Sequence, residues 1–282
     1  TETLNDIRAR MDPGKRKLND IACEKGASNW LTVLPIAEKG YVLTKREFWD
    51  AIRMRYGWPL TRTPVKCACS KKFTVSHALS CKKGGFVVQR HNELRDMTAE
   101  LLDEICKDVA IEPPLEKLTG ENLQAKTANR SDEARLDVCA RGFWERYQRA
   151  FFDIRVFNPH APRYQNQTLE KAYTSNENEK KRTYNQRILE TENGTFSPLV
   201  FSATGGMGPE CRIFFNRLSE KIADKRNETL STVSSWIRTR ISFALLRSTL
   251  VCIRGSRNRF QKLNLDELDM RVDNAEAKIK DN

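Results

Sequence analysis

The chain has 282 residues, 39% of them apolar and 30% charged, enough for one large core or two smaller ones in a soluble, globular protein. A formal net charge of +12 and a pI near 9.4 point to a polyanionic partner, because clustered Lys and Arg gain affinity by releasing counterions from phosphate; charge alone does not separate DNA from RNA or an anionic membrane surface. The apolar stretch from Ile241 to Ile253 is broken by Arg247 and too short to span a bilayer, and no signal-peptide pattern opens the chain, so an intracellular protein without a membrane partner is expected.

Residues 1–60 alternate helical and turn signals. Leu43 to Arg55 carries Phe48 and Ile52 at helical spacing with Tyr56 beyond, and Asp12-Pro13-Gly14 and Trp58-Pro59 punctuate the stretch. No catalytic constellation lies there, and a helical lead-in or linker packed on the rest of the chain is expected. Eight cysteines occur, at 23, 67, 69, 81, 106, 139, 211 and 252, and only three cluster. The isolated ones read as small buried residues of a reducing compartment. Cys67-x-Cys69-x7-His77-x3-Cys81 supplies three thiolates and an imidazole within 15 residues, enough for a closed tetrahedral zinc site. Ser76 to Cys81 reads as a helical turn with His77 and Cys81 on one face. A full ligand set leaves no position for water, so the zinc is expected to be structural; the alternative is a set of unligated cysteines. Lys66, Lys71, Lys72, Lys82 and Lys83 surround it as candidate phosphate contacts.

From Arg90 to Val109 the residues Leu94, Met97, Leu101, Leu102, Ile105 and Val109 follow the spacing of an amphipathic helix. Its first turn is Arg90-His91-Asn92-Glu93. Glu93 either positions a metal or its water or merely satisfies the helix dipole, and His91 either joins that site or hydrogen-bonds locally. Val109 to Pro114 reads as an edge strand stopped by prolines, and 116–133 as a polar surface loop. Leu136-Asp137-Val138-Cys139 and Ala150 to Val156 are then two short apolar runs joined through Gly142, a hairpin with one carboxylate on each strand, Asp137 and Asp153. A buried carboxylate is costly unless something positive compensates it, so two acids facing each other suggest a divalent cation held by oxygen ligands. The alternative pairs them with Arg135 or Arg155.

Asn158-Pro159 marks a turn, and Thr168 to Ile188 reads as a helix. Its stripe Leu169, Tyr173, Glu177, Lys181, Tyr184, Ile188 is expected to face the core, and its polar stripe Lys171, Thr174, Asn178, Arg182, Asn185 to face water. Lys181 then points inward and needs an anion, either the carboxylates with a metal-bound phosphate or Glu177 one turn away. Thr195 to Ser202 reads as a further strand. Gly205-Gly206-Met207-Gly208-Pro209 matches no phosphate-binding spacing and reads as close packing or a tight turn before a helix near Glu210. Residues 210–254 read as two helical stretches with Trp236, Phe243, Leu245, Leu246, Leu250 and Val251 buried; Arg238, Arg240, Arg247, Arg254 and Arg257 either line a nucleic-acid channel or are solvated.

The expected order is therefore helix, edge strand, hairpin, helix, strand, helix in an α+β fold. That order resembles the αβββαβ core of the restriction-endonuclease-like PD-(D/E)XK enzymes. Together with Cys67, Cys69, His77 and Cys81, Arg90-His91-Asn92, Leu136-Asp137-Val138, Phe152-Asp153-Ile154-Arg155-Val156 and Lys181-Arg182-Thr183-Tyr184, it resembles the C-terminal region of site-specific non-LTR retrotransposon polyproteins. There a zinc knuckle precedes a restriction-enzyme-like endonuclease and a reverse transcriptase lies in the same polyprotein.

The resemblance implies a lead-in at 1–60, a knuckle at 61–86, a nuclease domain at 87–258 and a tail at 259–282. It implies catalytic Asp137 and Asp153 holding Mg2+, with Lys181 and Glu93 assisting and Arg155, His91 and Tyr184 beside them. Lys71, Lys72, Lys82, Lys83 and Arg90 would meet target DNA, or element RNA, in the nucleus. Leu136 stands where the family has proline. Arg155 stands where the wider superfamily has lysine, and an arginine does not readily lose a proton to act as base. The rival expectations are a catalytically inactive DNA- or RNA-binding module on the same scaffold, and an interaction domain stapled by zinc. The chain opens at Thr1 and ends in a polar stretch, and so is expected to be a piece of a longer polypeptide.

Overall fold

The computed structural model describes residues 3–116 and 134–255. The expected loop from 117 to 133, Arg257 and the tail from 259 lie outside them.

Local signals set the lead-in helices. Thr3 and Asp6 cap α1 (Leu4–Arg10) reciprocally, and Asp12 accepts from the Gly14 and Lys15 amides ahead of α2 (Pro13–Ala22), where proline at the first position forfeits no hydrogen bond. A short α3 (Asn29–Thr32) follows. Thr44 and Glu47 form a second capping box on α4 (Lys45–Tyr56), which Gly57 ends in the left-handed region. Beyond α5 (Val75–Ser80), α6 (Phe86–Asp103) leads into the sheet.

The sheet runs β1 (Lys107–Ile111), β2 (Val138–Arg141), β3 (Arg149–Phe157), β4 (Thr195–Ser202) in spatial order. The first two pairings are antiparallel; β3 and β4 are parallel, joined by the crossover helix α7 (Leu169–Glu190). With α8 (Pro209–Arg226) and α9 (Leu230–Arg254) the protein is a mixed α+β fold with the order αβββαβ from α6 to β4. Ala150, Phe152 and Ile154 of β3 pack with α6, α8 and α9, while Phe151 and Phe157 on the alternate positions pack toward α7. Coverage of both faces explains why β3 reads as a nearly continuous apolar run.

The lead-in folds onto α9. Trp30, Ala51, Phe243, Leu246 and Leu250 form one cluster, and Tyr41 stacks on Phe243 at 5.1 Å between centroids. The four described arginines of the set read as channel-lining or solvated serve this and neighbouring seams instead. Arg254 grips Asp50 with two contacts of 2.6 Å and donates to the Thr61 and Arg62 carbonyls; Arg247 donates to those of Gly40 and Val42; Arg240 meets Glu100 at 2.8 Å and Arg238 meets Asn216 at 3.3 Å. Val251, expected inside, is 38% exposed, and Trp236 is half-buried under Arg226 and Arg240.

A second seam joins the lead-in to the glycine turn before α8. Gly205 has φ +107°, and a Cβ there would lie 2.8 Å from the Ala27 Cα. Side chains at Gly206 and Gly208 would meet Glu24 and Tyr173, or Glu177, at 2.3 Å or less, so the glycines serve close packing. Glu24 is mostly covered here. Burial pushes its carboxyl up to about 7, against the nearby Tyr173 and Ser202 hydroxyls and the charge of Arg212. The folded chain therefore holds a proton that the unfolded chain, titrating near 4.5, releases sooner. The stability contribution is full below 4.5 and is lost as pH rises through 7. We expect Glu24→Gln to gain stability relative to wild type between about pH 5 and about pH 8 in urea unfolding. A stability difference independent of pH would remove the buried carboxyl from this seam.

Candidate functional site

Asp153, 5% exposed, stands mid-β3 on the α7 side. Val138 pairs with Phe152, so one further step along the antiparallel register sets Asp137, just before β2, opposite Asp153. The Ile154 amide donates to Asp137 Oδ2 at 2.5 Å, and His91 Nε2 of α6 lies 3.0 Å from Asp137 Oδ1. Lys180 Nζ of α7 donates to Asp153 Oδ1 at 3.0 Å and approaches Oδ2 to 2.8 Å. Oδ2 is buried and accepts no hydrogen bond of good geometry. One turn on, the Tyr184 ring lies 5.6 Å from Lys180 Nζ.

The charges depend on one another. Burial pushes Asp153 up to about 6, opposed by Lys180 and reinforced by Asp137. Burial disfavours the His91 cation, but the hydrogen bond and charge of Asp137, with the charge of Asp153, outweigh it and hold His91 above its ordinary value. Lys180 follows the same balance: burial opposes its charge, Asp153 more than restores it, and its value is raised.

Four expected site residues lie elsewhere. Lys181 faces α8 and pairs with Glu210 at 2.7 Å. Lys180, Tyr184 and Ile188 repeat every four residues and turn toward the sheet, whereas Glu177 and Lys181, also four apart, meet the start of α8, where Glu177 accepts from the Glu210 amide. Glu93 is exposed, two residues past His91 and so on another side of α6, where the charge acting on it is that of Arg247. Arg155 pairs with Glu179 at 2.9 Å. Arg90 is 1% exposed and donates to the Leu79 carbonyl, which withdraws it from any nucleic acid. Among the described residues no arginine pairs with either aspartate: Lys180 and His91 take that part.

A second cluster lies at the knuckle. A tight turn with Ser70 at φ +70° and a bridge between Lys66 and Lys72 presents Cys67 and Cys69, and α5, capped by Thr74, presents His77 ahead of Cys81. Cys69 Sγ lies 3.2 Å from His77 Nε2, Cys67 Sγ lies 3.8 Å from Cys81 Sγ, and all four ligand atoms lie within 4.8 Å of one another. The group can hold a metal ion. Among the described residues, three or more such side chains are drawn together to that degree here alone. Lys66, Lys71, Lys72, Lys82 and Lys83 are all exposed around it. Asn158 fixes the knuckle to the end of β3 by donating to the Ser76 carbonyl and the Ser80 hydroxyl.

No protein-family model matches the chain, and no curated protein matches its sequence closely enough to be a relative. Among the described residues no helix is long and apolar enough to cross a membrane.

The two lysines make a test. Lys180→Met leaves a buried carboxylate without its counter-charge, at a cost of about 3 kcal/mol at about pH 8 and much less at about pH 5, where Asp153 takes a proton. Lys181→Met removes a half-exposed pair and should cost no more than about 0.5 kcal/mol. Urea unfolding of both variants at the two pH values reads the difference, and equal costs would refute the assignment of Lys180.

Proposed function

We propose that this chain is a metal-dependent DNA endonuclease that nicks a phosphodiester at Asp137 and Asp153, with Lys180 in the part expected of Lys181. The observation that carries the reading is the pair of aspartates opposed in register, with a lysine delivered by the crossover helix of an αβββαβ core. The resemblance to non-LTR retrotransposon endonucleases supports DNA as substrate, the nucleus as compartment, and a reverse transcriptase and element RNA as associates.

The donor set fits Mg2+. Both groups are hard oxygen ligands, and Asp153 Oδ2 keeps its lone pairs free of hydrogen bonds. Bound by Asp137 and Asp153, Mg2+ would polarise the phosphate and lower the pKa of a coordinated water. His91 and the Ile154 amide hold Asp137 in place, and Lys180 sets positive charge where the phosphate gains negative charge. Tyr184 closes the site beside Lys180. The thiolates and imidazole of Cys67, Cys69, His77 and Cys81 suit Zn2+ in a closed structural site, with the surrounding lysines reaching DNA phosphates.

The second reading, a DNA- or RNA-binding module without catalysis, draws on the same ion pair: Lys180 already neutralises Asp153. Plasmid nicking with Mg2+ decides between them. Asp153→Asn should reduce nicking on the order of a hundredfold or more while DNA binding persists. Lys180→Ala should reduce it more than Lys181→Ala does, and full nicking by Asp153→Asn would rule out this site. Removal of zinc by a chelator should lower the melting temperature and weaken DNA binding, and Cys81→Ser should do the same in the untreated protein. An unchanged melting curve would leave the cysteines unligated.

A further inference from the structure

Phe48, Trp49, Tyr56 and Trp58 are 40%, 48%, 56% and 52% exposed, on a lead-in that buries Trp30 against α9. Lys45, Trp49, Arg53 and Tyr56 follow one another at intervals of three or four along α4 and so share one outward face. Gly57, at φ +66°, ends the helix, and Trp58 then stacks on Tyr56 with centroids 5.1 Å apart and planes 24° from parallel. Beside the rings, Lys45, Arg46, Trp49, Arg53, Arg62 and Arg254 line an open groove of about 590 Å3.

Charge selects the occupant. Of the acids on α4, Asp50 is gripped by Arg254 and Glu47 accepts from the Thr44 amide. Lys45, Arg46 and Arg62 are exposed and meet no acid among the described residues. An apolar protein surface would satisfy the rings and strand the cations. A duplex would meet the cations, but its base faces are hidden. An unpaired strand offers both, because its bases stack on aromatic rings and its phosphates meet Lys and Arg.

We infer that this face of α4 and the turn after it bind single-stranded DNA, with bases stacked on Trp49 and on the Tyr56–Trp58 pair and phosphates at Lys45, Arg46 and Arg62. The choice of DNA over RNA rests on the nuclease reading; the stacking does not.

Fluorescence anisotropy of the full chain with a labelled oligo-dT of about 15 nucleotides, without Mg2+, tests the inference. Trp49→Ala with Trp58→Ala should weaken binding roughly tenfold or more, and the two Phe replacements should restore most of it. Binding should also quench the wild-type tryptophan fluorescence, a readout that requires no variant to fold. Because the measurement contains no Mg2+, oligo-dT binding is read without cleavage, so a failure of the cleavage reading is seen separately in the nicking assay. Unchanged oligo-dT affinity in the double Ala variant, absence of quenching, or a larger loss of affinity for duplex DNA or oligo-U RNA than for oligo-dT in that variant would each overturn the inference.

Discussion

A strand covered on both faces tolerates almost any apolar residue and almost no charge, and Asp153 sits in the middle of one. Its carboxylate is stable there only because Lys180 reaches it, and Lys180 reaches it only because α7 lies across that face of the sheet. The crossover that makes β3 and β4 parallel is thus also what neutralises the strand it leaves. Asp137 ties the second strand to the same point by accepting from the Ile154 amide. A slip of one residue between β2 and β3 would carry Asp137 to the opposite face, away from the Ile154 amide, and leave Asp153 with Lys180 alone.

The positive charge of the chain is divided by where its side chains end. On α9 the arginines reach carbonyls and acids of the lead-in and of α6, so they join helices far apart in sequence. Their long stems pack while the guanidinium finds several acceptors, a geometry lysine does not match. At the knuckle and on the outer face of α4 the lysines and Arg46 remain exposed and meet no acid among the described residues, and there the excess of charge can act on a polyanion. A basic composition therefore says that cations outnumber acids and leaves open which of them are already engaged.

What was legible in the sequence is what short-range periodicity encodes. The apolar runs of β2 and β3, the amphipathic α6, the helical spacing of Phe48 and Ile52 on α4 and the spacing of Cys67, Cys69, His77 and Cys81 all lie within one element or one turn. The lysine was harder to read. Lys180 and Lys181 are adjacent, and both fit a helical stripe, one by steps of four from Tyr184 and the other by a step of three. The choice depends on where α8 and the sheet lie around α7, which is tertiary information. Arg90 and Glu93 failed for a related reason: His91 alone of its turn points at the acids, and no local signal fixes that phase. Glu24 had no signal, since its partners Tyr173, Ser202 and Arg212 lie in elements far along the chain.

The same charges bear on how a divalent ion would enter. Two carboxylates face the Lys180 ammonium and an imidazole whose proton they favour, so much of their charge is already opposed. On the nuclease reading, an ion of charge two would then bring a surplus that the protein does not offset. On that reading a phosphodiester would carry the missing negative charge, so metal and DNA would strengthen each other at this site, and either alone would bind against the charge already present. Asp153 Oδ2 would be the atom open to such an ion, because Lys180 approaches it without a directed hydrogen bond while Oδ1 keeps one. A lysine can remain on Oδ1 and turn its charge toward a phosphate; an arginine forked across both oxygens would close the site.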